Sequence, residues 1–424
     1  MAKYQKPARQ ARRIVVKSAD DTTVQVTLRE LILAQLSEWV PDLVKAEISE
    51  YLTRLRGDEQ QAADPHGAAA LPGASGLPYR NGYHKERQLT SAMGTFPVKL
   101  PRLRVPFESQ IIPAYERRTE ELGELLPELY MHGLAAGDFR QAMRTLLGEN
   151  APISPTTILR LKQEWEGEYK AWRERPLEED YLYLWADGVY PKAGPKDEKM
   201  AVLVVIGLNR KGEKEVLAIE EGYRESAESW KDLLRKLRTR GMKWAGLMVA
   251  DGIPGLKKAL RDVYPKTQYQ RCWVHKMRNA LDKLPKKCEE EATEMLREIY
   301  NAKNRKVALE LKDRFVVRFS QDYPAAVNSL EEAGNDLFTY FDFPKSHWRS
   351  IKSTNVIESL FSAVKLRTDA ARRIKTRKSA LFLVFKLLIN QEARLRKIRG
   401  YRLVARVIEQ LKTQKAQRKV RLAA

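Results

Sequence analysis

Five apolar runs between residues 181 and 275 alternate with two amphipathic segments, and this alternation limits the possible folds more than any other feature. The runs are YLYLWADG from Tyr181, KMAVLVVIGL from Lys199, EKEVLAIEEG from Glu213, WAGLMVADG from Trp244 and TQYQRCWV from Thr267. Between them, SAESWKDLLRKLRTRG reads as a helix capped by Ser226 and stopped by Gly241, and IPGLKKALRDVYP as a second helix. The order is βββαβαβ. Three consecutive strands make an antiparallel meander, and strands joined through helices add in parallel. The expected class is therefore mixed, multidomain α/β, with the strand order of a ribonuclease-H-like core.

Two of these strands end on an acid. Tyr181, Tyr183, Trp185 and Asp187 share one face by period-two alternation, and Asp251 closes the fourth strand. Each aspartate precedes a glycine. Either one alone reads as a turn signal. Together, on strands expected to be neighbours, they would repel unless a cation lay between them. Mg²⁺ (or Mn²⁺) takes such hard oxygen ligands and leaves room for water and phosphate oxygens.

A third carboxylate is expected on a helix after the fifth strand, about 40 residues beyond Asp251 at ordinary element lengths. The candidate is Glu358 in STNVIESLF, which Ser353 or Thr354 could cap. Its distance implies an insertion into the core, read as the helical, highly charged stretch 276–350. A first-turn glutamate offsetting the helix dipole is the plain alternative. Lys365 lies two turns further along the same face, where it can meet a phosphate.

Lys and Arg number 77 against 55 Asp and Glu, a formal charge of +22. A surplus of this size implies a polyanionic partner, most often DNA or RNA. Residues 359–424 alone hold 19 bases and three acids. They are expected to track a phosphate backbone through Arg367, Arg372, Arg373, Lys375, Arg377 and Lys378. Two cysteines exclude a disulfide framework, and no apolar run reaches the ~18 residues of a membrane span. The N-terminus carries no signal-peptide pattern. The expected location is a reducing cytoplasm, at the nucleoid.

Five segments follow. Residues 1–79 read as a loose basic arm over 1–17, amphipathic helices divided at Pro41, and a Gly/Ala/Pro-rich linker from Gly57. Residues 80–178 read as a DNA-binding region. It holds a β-hairpin turning near Gly94, with basic side chains, Arg102 and Arg104 among them, along its second strand. A helix-turn-helix-like pair follows, whose second helix starts at Pro155 after Ser154 and carries Thr156, Thr157 and Arg160. Any two-helix hairpin reads alike. Residues 179–275 hold the first part of the core, 276–350 an all-α insertion, and 351–424 the Glu358 helix with a basic tail.

LWADGVY, MVADG, RCWVHKMRNAL and STNVIESLFSAVKLRTDAARR together resemble the Mutator-like transposases of bacterial insertion sequences, as does RNGYHKERQLTSAMGTFPVKLPRLR upstream. The likeness spans about residues 80–400. It implies that Asp187, Asp251 and Glu358 are a metal-binding catalytic triad holding two divalent ions astride the scissile phosphate. It also implies a Cys-x-x-His signature at Cys272 and His275. Zinc would want four ligands, and no second pair is suitably spaced. Packing beside the active site, with His275 near DNA or the triad, fits better. The resemblance further implies binding to terminal inverted repeats and target DNA, cleavage that frees a 3′-OH, strand transfer, and a circular intermediate. Holding two ends suggests a homodimer, for which the helices of 22–56 are a candidate surface; covering the protomer's own core is the rival. Two other readings stay open: a ribonuclease-H-like nuclease or resolvase that cuts without joining, and a non-enzymatic DNA-binding regulator.

Overall fold

A computed structural model describes residues 13–17, 23–61, 80–113, 117, 119, 139–147, 155–194, 198–222, 226–370, 374 and 376–423. The chain forms two compact units, Met1–Leu159 and Arg160–Ala424.

In the first unit, β1 (Arg13–Lys17) and β2 (Thr23–Thr27) pair as an antiparallel hairpin, so the expected loose arm is a strand over 13–17. One helix follows, α1 (Leu28–Gln61), with Pro41 inside it. Two expectations change here. Proline removes one N–H and crowds the preceding turn, but it does not end this helix. Residues 57–61 are helix rather than linker, and the rest of the expected linker, 62–79, lies outside the described residues. Next come β3 (Arg80–Tyr83), β4 (Arg87–Ser91), β5 (Gly94–Val98) and β6 (Pro101–Leu103). β4 and β5 form the expected hairpin, but its second strand stops at Val98 and carries no base; Arg102 falls on β6, which pairs with β3, and Arg104 just after it. Leu33, Leu36 and Val40 of α1 pack on Leu89, Phe96, Val98 and Ile112. Leu28, Leu31, Trp39 and Leu43 remain exposed on the same helix.

Of the helix-turn-helix-like pair, α2 (Phe139–Leu147) and α3 (Pro155–Glu174) are described, whereas the turn over 148–154 is not. From Arg160 onward α3 belongs to the second unit. Tyr169 donates from its hydroxyl to the Ile219 carbonyl at 2.8 Å and packs against Phe382 and Phe385. This half of α3 is thus occupied with the sheet unit's interior.

The second unit is built on β7 (Asp180–Val189), with a short pair β8 (Lys192–Ala193) and β9 (Glu198–Lys199) after it. Then follow β10 (Ala201–Leu208), β11 (Lys214–Gly222), α4 (Ala227–Thr239), β12 (Trp244–Ala250), α5 (Pro254–Val263) and β13 (Gln268–Arg271). The five long strands lie in the order β11-β10-β7-β12-β13. β10 runs antiparallel to both its neighbours, and β7, β12 and β13 are parallel. Apolar runs with few polar positions suit such strands, because both faces are covered. α4 and α5 bury Trp230, Leu233, Leu237, Leu256 and Leu260 against Leu184, Ala186, Val205 and Met248 on one face. Tyr181 joins that cluster and so leaves the row of Tyr183, Trp185 and Asp187.

Helices α6 (Trp273–Leu281), α7 (Lys286–Tyr300), α8 (Arg305–Phe319) and α9 (Pro324–Glu331) make the insertion all-helical, with 3₁₀ turns at Gly334–Leu337 and Thr339–Asp342 and a short α10 (Trp348–Ile351). Its ends meet, since the Trp273 N–H donates to the Lys352 carbonyl at 2.9 Å. The Lys352 ammonium donates to the Tyr300 carbonyl and lies over the rings of Tyr300, Tyr340 and Trp348. α11 (Asn355–Ala370) then packs on β7.

The C-terminal stretch is no tail. α12 (Arg377–Glu392) buries Leu381, Phe382, Val384, Phe385 and Leu388, and packs on β11. α13 (Val404–Ala423) packs on β7. Several of its bases pair with acids of the sheet unit: Lys386 with Glu168, Lys397 with Glu213, and Lys412 with Asp180. Among the described residues, no helix is long and apolar enough to cross a membrane.

Candidate active site

The parallel register of β7 and β12 sets the first two acids. Ala186 pairs with Ala250. Asp187 and Asp251 are each the next residue, so they stand at the same edge on neighbouring strands. The Asp187 Oδ1 accepts from the Gly188 N–H at 2.7 Å. Both aspartates are half-buried.

The third acid arrives from above the face carrying Tyr183 and Trp185. The Tyr183 hydroxyl meets His347 Nδ1 at 2.7 Å, and the Trp185 indole N–H donates to the Ser350 carbonyl at 3.0 Å. These contacts fix the chain just before α11, which carries half-buried Glu358 in its first turn. Thr354 occupies the cap position: its carbonyl accepts from the Ile357 and Glu358 N–H groups. Its hydroxyl instead reaches Glu358 Oε1 at 2.6 Å.

His275 lies between two of the acids. Its Nδ1 is 3.7 Å from Asp251 Oδ2 and 3.7 Å from Glu358 Oε1. A hydrogen bond with Cys272 raises the imidazole to about 9, with Asp251 and Glu358 adding to the effect, while burial opposes it. Cys272, fully buried, starts α6 and continues the ladder, its N–H donating to the Ala250 carbonyl at 2.9 Å. Among the described residues, Cys272, His275 and Glu358 bring one ligand atom each within 4.8 Å of one another.

Arg271 was not foreseen. Its guanidinium lies 3.8 Å from Asp251 Oδ1, an oxygen that is buried without a hydrogen-bond partner. It gets there across Gly252, whose φ is +45° and whose Cβ, if present, would stand 0.5 Å from Arg271 Nη1. The Asp-Gly pair on β12 thus does more than turn the chain: it clears the approach of a cation to the acid. No spacing in the sequence signals that contact.

The outlying candidates are scattered. Lys365 is exposed on α11, and Arg367 is half-buried there. Arg377 is exposed and paired with Glu221 at 2.5 Å, beside exposed Lys378. Arg160 is exposed and pairs with Glu164 at 3.2 Å. Arg102 and Arg104 are exposed in the first unit, on and just beyond β6. Thr156 and Thr157 lie in α3. Arg372, Arg373 and Lys375 fall outside the described residues.

A mixed sheet with two acids on adjacent parallel strands and a third on a covering helix defines a class of α/β protein with an acidic edge. Residues 20–397 match the family described as "Transposase, Mutator family", and the chain belongs to that family. It is 41% identical over 287 residues to the transposase for insertion sequence element IS6120 of Mycolicibacterium smegmatis, covering 68% of this chain and 89% of that one. It is 40% identical over 258 residues to the transposase for IST2 of Acidithiobacillus ferrooxidans, 60% of this chain and 87% of the relative. The transposase for ISRM5 of Rhizobium meliloti is 30% identical over 365 residues, 85% and 87% of the two chains.

Proposed function

We propose that this chain is an insertion-sequence transposase that binds the terminal inverted repeats of its element and cuts and joins DNA strands with Asp187, Asp251 and Glu358. The observation that carries the reading is two acids side by side, Asp187 near the end of β7 and Asp251 directly after β12, with Glu358 on the helix that covers β7. The strand order supports assigning the sheet to a ribonuclease-H-like core.

The donor set fits Mg²⁺ or Mn²⁺. Three carboxylates supply hard oxygens, and the buried Oδ1 of Asp251, which accepts no hydrogen bond, keeps its lone pairs for an ion. Asp187, Asp251 and Glu358 would hold the ions. Two such ions would supply Lewis-acid activation of the attacking oxygen and charge stabilisation at the leaving 3′ oxygen. The protein's own part is to hold the half-buried acids in register. Arg271 and His275 offset their mutual repulsion before the ions and DNA arrive. Water attacks first and frees a 3′-OH, which then attacks a target phosphate and displaces the target strand's own 3′ oxygen. Exposed Lys365 and Lys378 in the second unit, and Arg102 and Arg104 in the first, are assigned to phosphate contacts, which weaken as salt rises.

Asp187→Ala should lower Mg²⁺-dependent cleavage of a duplex carrying the element's end by more than the ~100-fold typical of losing an outer-sphere partner. Binding of that duplex, followed by gel shift, should stay near wild type because the basic surface is untouched. Cleavage at a near-wild-type rate would defeat the assignment.

A further inference from the structure

We infer that Thr354 is a positioning residue, which orients the Glu358 carboxylate through a hydroxyl that Cys272 and His275 lock in place. The inference rests on the reading of Glu358 as a metal-holding acid.

Thr354 is completely buried. At a helix cap, a threonine hydroxyl ordinarily accepts from an N–H of the first turn. No such bond forms here. Among the described residues, the Thr354 Oγ1 has three polar neighbours: Glu358 Oε1 at 2.6 Å, Cys272 Sγ at 3.2 Å and His275 Nδ1 at 3.4 Å. A hydroxyl holds one proton and two lone pairs. The carboxylate can only accept, and it is the nearest neighbour, so the proton goes to Glu358. The lone pairs then face the sulfur and the imidazole. In that arrangement Cys272 donates its S–H, and His275 donates from Nδ1. This proton placement follows from the bonding pattern. The Thr354 N–H meets the same sulfur at 3.4 Å, so residue 354 contacts Cys272 through both its backbone and its side chain.

Every valence of the hydroxyl is thereby used, and its rotor has one setting. Glu358 Oε1 is held by a charge-assisted bond, leaving Oε2 to serve an ion. Cys272 caps α6 after β13, so the relay connects the sheet edge to the acid on α11. The Cys-x-x-His pair then acts through threonine rather than as a metal site of its own. Outer-sphere partners of this kind commonly change metal affinity or activity by about 10- to 100-fold.

The test compares full-length wild type with Thr354→Val, Thr354→Ser, Cys272→Ala and Glu358→Gln. Mn²⁺ binding is followed by the EPR signal of the free ion, and cleavage of the end-bearing duplex is measured across Mn²⁺ concentrations. Thr354→Val, which keeps shape but loses the hydroxyl, should weaken Mn²⁺ binding and raise the half-saturating Mn²⁺ for cleavage by about 10- to 100-fold. Thr354→Ser should restore both toward wild type, and Cys272→Ala should fall between. Thermal melting checks the fold. If Thr354→Val does not fold, the proposal stands or falls on Cys272→Ala with Thr354→Ser. Unchanged Mn²⁺ dependence in Thr354→Val, or in Cys272→Ala if that variant must serve, overturns the inference. So does a serine variant that binds Mn²⁺ as poorly as the worst of the others. Should Glu358→Gln bind Mn²⁺ and cleave like wild type, the reading of Glu358 itself fails, which is a separate result.

Discussion

At the scale of single residues, Gly252 shows how a backbone conformation can serve an acid. Arg271 occupies the space a side chain would need, and the glycine sits at φ +45°. Gly252→Ala should therefore cost more than the ~1–2 kcal/mol of a left-handed alanine. Gly334 provides the control, because its φ is +52° and nothing lies within 4 Å of a Cβ there. Urea unfolding of the two alanine variants should differ, with Gly252→Ala the less stable, and the difference reports the displacement of Arg271. Equal losses would mean that the guanidinium moves aside freely. The sequence makes Asp251 and Gly252 conspicuous as a pair, yet it is silent on Arg271. That residue reaches the acid only because β12 and β13 are paired. Thr354 was legible as a cap, but not as a neighbour of Cys272, which is far off in the chain and joined to it by the meeting of α6 and α11.

Among the elements, the join between β7 and the chain before α11 depends on one neutral histidine. Gly400 offers only a carbonyl to His347 Nε2, at 3.0 Å, so that nitrogen carries the proton and Nδ1 accepts from the Tyr183 hydroxyl. Burial pushes the His347 imidazole down from its ordinary value, with the Gly400 carbonyl working the other way. A depressed value means that the unfolded chain binds the proton more readily. The stabilisation is complete above about 6.5 and is lost as pH falls through the folded value, at most about 1.4 kcal/mol per pH unit. Urea unfolding at pH 7.5 and 5.5 should show wild type losing more stability than His347→Gln. An identical pH response in both proteins would remove His347 from the account. The five-stranded order was readable because each apolar run is bounded by turn residues and the helices between are strongly one-sided. The break expected at Pro41 did not occur. The apolar residues before it, Leu33, Leu36 and Val40, find partners on the β4–β5 hairpin, and Val44 and Ile48 after it are buried; such packing outweighs one missing hydrogen bond. The β1–β2 pairing was hidden in a segment whose charge suggested only solvent.

For the whole molecule, charge counting and structure give different weights to the C-terminal bases. Lys386, Lys397, Lys412 and Arg377 are already paired with acids of the same unit. Fewer of them are free for phosphate than the raw count suggests, and the salt dependence of DNA binding should be correspondingly shallower. Joining an excised element requires two ends to be held, while one set of acids serves one scissile phosphate at a time. Light scattering on a complex with both ends bound should give the mass of two protomers, related by two-fold symmetry as the inverted repeats are. A strand-transfer-competent complex with one protomer would refute this. The helical insertion bears on how such proteins diversify. Because Trp273 hydrogen-bonds Lys352, the insertion's two ends are stitched together at the core, while His347 and Ser350 tie its last stretch to β7. Length can therefore vary among α7 to α9 but not between His347 and Ser350, where any shift would reach Glu358, much as an appliance is changed at a fixed socket.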